Sequence, residues 1–400
     1  MVVMPSYNEK DNISRMIEEL VDQEFPKITG VQMHLLVVDG NSPDGTGDVV
    51  KNAAKTRKNL HLFLEPEKRG LGMAYVSGFK YAIGELGADA IIEMDADGQH
   101  PPRFVRPMVE AYLAGADYVI GSRYIKGGSV PKEWALFRKA VSFFGNLFIR
   151  VVLVKPRLHD LTTGFRLTKV KGILDKIDLD NLMELKRFAY KVDLLYQSVK
   201  NAKKTVEVPL EFAPRTKEKS KFDSKEMLST FKVALILGIK DKQRVIKFGI
   251  VGFVGYLVNA LALEIFAGMS FTAVLAQAAF GLKGSFLAFI AEPSAWAAAL
   301  AAEVAILSNF TWNNIWTFKE VKISSPLRLV RKFLEFNLTS VGAIVIQFIV
   351  IGVMALGFGD TRLIRQLGIL VAMPLVLVFN YTMYNLFIWK TWKSPLGRIR

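Results

Sequence analysis

The stretch MDADGQHPP, residues 94–102, sets two carboxylates (Asp95, Asp97), an amide (Gln99) and an imidazole (His100) against the apolar run ADAIIEM. At the end of an extended strand side chains alternate, so Asp95, Asp97 and Gln99 are expected on one side. Three oxygen donors converging there suit a hard divalent cation, Mg²⁺ or Mn²⁺, rather than zinc. Such a cation keeps positions open for substrate phosphates. The competing reading is a solvated turn in which Asp97 or Gln99 satisfies backbone amides. The chain has no cysteine and four histidines. That excludes disulfides, thiolate zinc sites and a cysteine nucleophile, and argues against a multi-histidine metal cage.

Three further polar turns carry comparable chemistry. MPSYNEKDN (4–12) offers Pro5 and Tyr7 as a stacking surface and Glu9 as an acceptor for a ribose or base, or else caps a helix. VVDGNSPDGT (37–46) is an acidic turn, with an Asx-type turn held by Asp39 and Asn41 as its structural alternative. EKRGLGMAYVSG (67–78) places Gly70 and Gly72 at a helix start, where bare amides and the helix dipole favour an anion.

The elements that must position these turns read as alternating strands and helices. Apolar runs at 2–4, 34–38, 60–64, 90–94 and 118–121 are separated by amphipathic stretches such as DNISRMIEELVDQ and PRFVRPMVEAYLAG. Continuous apolar strands between helical periods predict a mostly parallel sheet covered on both faces. Ligands then belong at the carboxyl ends of the strands, where each turn above falls. The expected catalytic domain is 1–230.

The remainder of the chain is of another kind. The 400 residues are 51% hydrophobic with a formal charge of +15, and the mean hydropathy is +0.26. Four apolar segments, about 248–267, 296–318, 336–358 and 367–389, each approach the roughly twenty residues that a bilayer core demands. NFTWNNIWTFK (309–319) aligns without gaps on NYTMYNLFIWK (380–390), so 248–390 reads as a repeated helix pair behind a juxtamembrane linker, 231–247. Lys319, Lys322, Arg328, Arg331 and Lys332 fall on the cytoplasmic side if there are four spans, leaving 271–294 external or re-entrant. The catalytic domain, both termini and a basic tail (391–400) are then cytoplasmic. No signal peptide is expected at MVVMPSYNE. Residues 134–154 are apolar around most of a helix but carry Arg138, Lys139 and Arg150, which predicts a helix lying in the membrane interface. The positive charge reads as attraction to anionic lipid, with no nucleic-acid partner expected.

Taken in order, PSYNE, VVD…SPDGT, RGLGMAYVSGF and DADGQHPP resemble the inverting family-two glycosyltransferases with a nucleotide-sugar-binding A-type α/β fold. IGSRYIKGGSV (120–130), EWALFRKAVS (133–142), DLTTGFRL (160–167) and VEVPLEFAPRTKEKSKF (206–222) narrow the resemblance to dolichyl-phosphate mannose synthases. SNFTWNNIWTF is similar to the GtrA-like all-α four-helix transmembrane domain that follows the catalytic domain in some members. The resemblance implies metal-dependent transfer of a hexose, mannose from GDP-mannose, to dolichyl or another polyprenyl phosphate, with inversion. It implies that Pro5, Tyr7, Glu9 and the Val38-Asp39-Gly40 turn hold the nucleoside. Asp95, Ala96 and Asp97 would contact the diphosphate, with Asp97 and Gln99 on the metal. Arg123, Arg138 and Ser142 would bind the acceptor phosphate, and Arg215 would help close the site on the donor.

One departure matters. The family usually carries Asp-Asp where this chain has Asp39-Gly40, so guanine and uracil both stay open as the base. A UDP-sugar-dependent transferase of glucose or an N-acetylhexosamine is the near alternative. A membrane lipid-sugar carrier with a non-catalytic nucleotide-sensing domain is the distant one, motivated by the helix repeat. A phosphate monoester has its second ionisation at about 6, so its attacking oxygen is already anionic at neutral pH and needs no general base. Catalysis then reduces to alignment and charge, and arginine's planar fork suits two phosphate oxygens.

Overall fold

The computed structural model describes residues 1–214, 224–278, 293–358 and 362–392, in two compact units, Met1–Lys240 and Asp241–Arg400. In the first unit the five apolar runs form strands β1 (Val2–Ser6), β2 (Leu35–Asp39), β3 (Leu60–Leu64), β4 (Ala90–Glu93) and β5 (Tyr118–Ser122). Two more strands, β6 (Arg166–Lys169) and β7 (Thr205–Pro209), complete a seven-stranded sheet of order β3-β2-β1-β4-β6-β5-β7. β6 runs antiparallel to both neighbours and the other pairings are parallel. The sequence RLTK gives little sign of a central strand, because its Arg166 is charged and yet wholly buried.

The pleat divides the strand residues between two cores. Val3, Leu36, Val38, Ile91 and Ile120 face one, with helices α3 (Leu71–Gly84) and α6 (Tyr190–Asn201). Val2, Met4, Leu35, Val37 and Ile92 face the other, with α1 (Lys10–Ile17), α2 (Thr46–Ala54) and α4 (Val105–Leu113). Burial on both faces is what an unbroken apolar strand requires. The register matters most for the site. Ser6 pairs with Asp39, and Asp39 with Leu64, so β1, β2 and β3 end at one level and their turns open at one edge.

Helix α5 (Leu136–Val152) occupies the segment expected to lie in the membrane interface. Leu136, Phe137, Phe143, Phe144 and Val151 are exposed, while Asn146 and Ile149 are buried against the sheet unit. Helix α7 (Ser224–Ala267) starts in this unit, burying Val233, Ala234 and Leu237 beside Ile149 and Leu153. Residues 231–247, expected as a linker, form the middle of that unbroken helix. Arg215 and residues 279–292 of the expected external segment lie outside the described residues.

The second unit holds the rest of α7 with α8 (Ser270–Ala278), α9 (Pro293–Trp312), α10 (Pro326–Phe358) and α11 (Arg362–Met383). Among the described residues one helix, Ser224–Phe266, is long and apolar enough to cross a bilayer. The repeat survives in three dimensions. Both copies end in a widened helical turn, Asn313–Thr317 and Tyr384–Ile388. The equivalent residues Phe318 and Trp389 stack on each other at 4.3 Å with ring planes 7° apart. Trp389 Nε1 donates to Asn314 Oδ1 at 3.1 Å, which also accepts from Ile323 N.

Gly78 lets α3 lie close on the sheet. A Cβ there would come within 2.6 Å of Val3 Cγ1 and 2.7 Å of Val38 Cγ2. Gly78→Ala is expected to destabilise this unit by about 1–3 kcal/mol through overpacking, measured as a lowered thermal midpoint by circular dichroism.

Candidate functional site

The carboxyl edge of the sheet opens into a cleft of about 450 Å³. Its walls come from every turn named above. Pro5, Tyr7 and Glu9 follow β1; Gly40 follows β2; Lys68 and Arg69 precede α3; Asp95, Ala96, Asp97, Gln99 and His100 follow β4; Arg123 follows β5. Thr162, Thr163, Gly164, Phe188 and Phe212 also line it.

The β1 turn is fixed by the β2 turn. Ser42 Oγ, Thr46 Oγ1 and Asp44 Oδ2 accept from the backbone amides of Asn8, Glu9 and Lys10 at 3.0–3.1 Å. Glu9 precedes α1 but its side chain caps no backbone amide; Glu9 Oε2 instead accepts from Asn12 Nδ2 at 2.7 Å. Asp39 is 1% exposed and forms the Asx-type turn, accepting from Ser6 Oγ, Ser42 Oγ and Ser42 N. Val38 is core and Asp39 lies behind the wall, so of that trio only Gly40 lines the cleft. A Cβ at Gly40 would sit 3.4 Å from the Tyr7 ring, over which the Lys68 ammonium lies at 3.8 Å. An unforeseen cation therefore occupies the mouth of the expected nucleoside pocket.

The DADGQ turn departs from the expected geometry. β4 ends at Glu93, and Gly98 has a φ of 78°, so a turn rather than strand alternation brings Asp95, Asp97 and Gln99 to the cleft. Asp97 Oδ1 accepts from Gln99 N at 3.0 Å. Asp95 Oδ1 accepts from Tyr75 Oη at 2.7 Å, and the Asp95 amide donates to His100 Nδ1 at 3.1 Å. His100 is packed flat on Phe165 and edge-on to Phe212. Burial lowers its pKa to about 4, so at neutral pH it is an uncharged ring with its proton on Nε2. It positions the turn rather than exchanging protons.

Arg123 is buried and already paired. Its Nε and Nη2 donate to Asp160 at 2.7 and 2.8 Å, and Nη2 also to Thr162 Oγ1 at 2.8 Å. Burial alone would raise the Asp160 pKa, but the Arg123 guanidinium outweighs it and holds the carboxyl below its usual range. On α5 the Arg138 guanidinium lies 3.8 Å over the Trp134 ring, and Ser142 Oγ shares a 2.6 Å hydrogen bond with Tyr124 Oη. Neither lines the large cleft. Ser142 lines a smaller hollow of about 190 Å³, with Gly145, Glu226 and Phe231, that meets the cleft at Thr162 and Phe188. The site thus has a polar chamber and an apolar annex beside α5.

Sequence reasoning missed Asp160, Tyr75 and Lys191 as members of this site. DLTTGFRL was conspicuous as a motif, but nothing in it tells which strand end its Asp160 would reach. Asp160→Asn removes the charge that offsets buried Arg123 and is expected to cost about 3 kcal/mol. Chemical denaturation of the wild-type and variant proteins, compared at neutral pH, checks it.

The chain is similar to several known proteins. Residues 1–174 match the Glycosyl transferase family 2 model and residues 247–389 match the GtrA/DPMS transmembrane domain. A dolichol-phosphate mannosyltransferase of Pyrococcus furiosus is 30% identical over 383 residues, spanning 95% of this chain and 97% of that protein. A polyprenol monophosphomannose synthase of Mycolicibacterium smegmatis is 36% identical over 236 residues, 58% of this chain and 85% of that protein. Among solved structures, glucosyl-3-phosphoglycerate synthase from Mycobacterium tuberculosis superposes with a TM-score of 0.44 at 17% identity, covering 59% and 78% of the two chains. The chain therefore belongs to glycosyl transferase family 2: it is a glycosyltransferase and, by its GtrA/DPMS domain, a membrane protein.

Proposed function

We propose that this glycosyltransferase moves mannose from GDP-mannose to a polyprenyl phosphate of the dolichyl type. The observation that carries the reading is the cleft itself. It brings Asp95, Asp97, Gln99 and Arg123 into one lining at one sheet edge and adjoins an apolar hollow beside α5. The names of the two relatives, one spanned almost end to end, support the sugar and the lipid acceptor.

Pro5, Tyr7, Glu9, Gly40 and Lys68 surround the space for the nucleoside. Asp95, Ala96 and Asp97 border the space for its diphosphate. Among the described residues no group of three His, Cys, Asp or Glu side chains could hold a metal ion unaided. Asp97 and Gln99 supply oxygen donors only, which fits Mg²⁺ or Mn²⁺ completed by donor phosphates and water. When bound, such an ion neutralises charge growing on the departing diphosphate.

Arg123, already locked by Asp160, presents its remaining N–H groups to phosphate without a cost in side-chain freedom. Arg138 and Ser142, four residues apart on α5, share one helical face from which an acceptor phosphate can be gripped. The phosphate oxygen forms a bond to the anomeric carbon as the bond to the diphosphate breaks on the opposite side. The sugar is inverted, and the nucleoside diphosphate leaves with the electron pair. The anionic acceptor needs no base, and the acceptor nitrogen of His100 is already taken by the Asp95 amide.

A second reading rests on Gly40. The missing carboxylate removes an acceptor-only group for base N–H donors, which guanine and uracil both present, so a UDP-sugar stays open as the donor. Positive charge beside α5 and in the 319–332 loop supports a cytoplasmic catalytic unit at the inner leaflet.

The full-length protein, given Mg²⁺ or Mn²⁺, a panel of GDP- and UDP-sugars and a polyprenyl phosphate, is expected to yield mannosyl lipid from GDP-mannose, read by product mass. Asp97→Ala is expected to abolish transfer with the fold intact; near wild-type turnover would remove Asp97 from the mechanism. Arg138→Ala is expected to raise KM for the lipid phosphate more than KM for the donor. The reverse pattern in initial-rate kinetics would move it to the donor side.

A further inference from the structure

Beneath the DADGQ turn lies a layer of buried charge that the proposed chemistry does not use. Lys191, the second residue of α6, has no exposed surface. Its ammonium is 3.5 Å from Asp95 Oδ1, 3.4 Å from Gly164 O and 4.5 Å from the centre of the Tyr75 ring. Glu93 and Arg166, paired across β4 and β6, complete the layer. Arg166 donates to Lys191 O at 2.5 Å, while neither carboxylate oxygen of Glu93 has a hydrogen-bond partner. Tyr190 and Tyr118 flank them, and neutral His100 closes the side toward the cleft. Gly164 leaves room for the ammonium: a Cβ there would meet Lys191 Nζ at 2.3 Å.

We propose that Lys191 is a positioning residue for donor binding. It acts from behind the cleft by fixing Asp95 Oδ1 and offsetting its charge. This rests on the reading of Asp95 as a diphosphate-side residue. Two groups, the Tyr75 hydroxyl and the Lys191 ammonium, engage the same oxygen. Asp95 is thereby held by Oδ1, while Oδ2 lies 3.9 Å from His100 Nδ1 and the side chain as a whole keeps 28% of its surface exposed. Without the ammonium, Asp95 and Asp97 would place two carboxylates against an anionic diphosphate. A lysine at 3.5 Å, out of water, offsets one of them far better than a solvated cation could. Lysine's compact ammonium also fits where Gly164 leaves a slot.

The test is a double-mutant cycle on the full-length protein with Mn²⁺, GDP-mannose and polyprenyl phosphate, comparing wild type, Lys191→Met, Asp95→Asn and both together. Lys191→Met is expected to raise the donor KM by about 10- to 100-fold, the range for groups that orient a ligating side chain. The lipid-phosphate KM should stay in place and kcat should change less than donor KM. In the Asp95→Asn background the same substitution should change donor KM by less than about twofold, because the two residues form one interacting unit. An unchanged donor KM in Lys191→Met, or equal fold-losses in both backgrounds, overturns the inference. Should Lys191→Met not fold, Asp95→Asn against the double variant decides alone: indifference supports the coupling and a tenfold loss refutes it. Wild type that takes up no sugar nucleotide in calorimetry refutes the functional reading as well, whereas normal wild-type uptake with an indifferent lysine refutes only this inference.

Discussion

Parallel pairing of β1, β2 and β3 in a register that ends all three at Ser6, Asp39 and Leu64 is the constraint on which the site depends. Each parallel strand must be followed by a crossover, so every turn at this edge leads into a helix. The turns are therefore crowded, polar and supplied with helix starts at once. The β2 turn uses three side-chain oxygens to clamp three successive amides of the β1 turn. A shift of one residue in that register would exchange the two faces of the sheet and dissolve the clamp together with both cores.

Most charged groups around the cleft are committed before any ligand arrives. Asp39 serves its own turn, Asp160 serves Arg123, Glu65 serves Arg69, and Tyr75 serves Asp95. Burying charge is expensive unless it is paired, and here pairing also sets orientation. A guanidinium gripped on two nitrogens has its remaining donors aimed, and a carboxylate gripped on one oxygen has the other aimed. Preorganisation of that kind is what the proposed transfer needs, since charge placement is then the main lever.

The helical unit follows a different logic. Its core is aromatic: Phe248, Phe310, Phe318, Phe336, Tyr384 and Trp389 stack around the point where the two repeat copies meet. Asn314 ties the copies by accepting from Trp389 while closing the loop to Ile323. Within lipid such amide contacts and flat ring contacts replace the hydrophobic driving force that water would supply.

The sequence alone determined the five apolar strands, the helical periods between them, the change of character after residue 240 and the repeat of NFTWNNIWTFK on NYTMYNLFIWK. Those are statements about periodicity, and periodicity is local. It also determined that Asp95, Asp97, Gln99 and Arg123 belong to one edge, because each follows an apolar strand. Only the tertiary structure decided what depends on distant chain segments. Charged Arg166 sits in a central antiparallel strand, opposite Glu93 in the register, with its guanidinium donating to the carbonyls of Lys191 and Leu161; Asp160 and Thr162 reach Arg123 from a loop 37 and 39 residues away. Lys191, on a helix whose pattern reads as ordinary core packing, ends beneath Asp95. Long-range pairing of buried charge leaves no local signature, since the partner that makes a buried lysine tolerable is named nowhere near it in the chain.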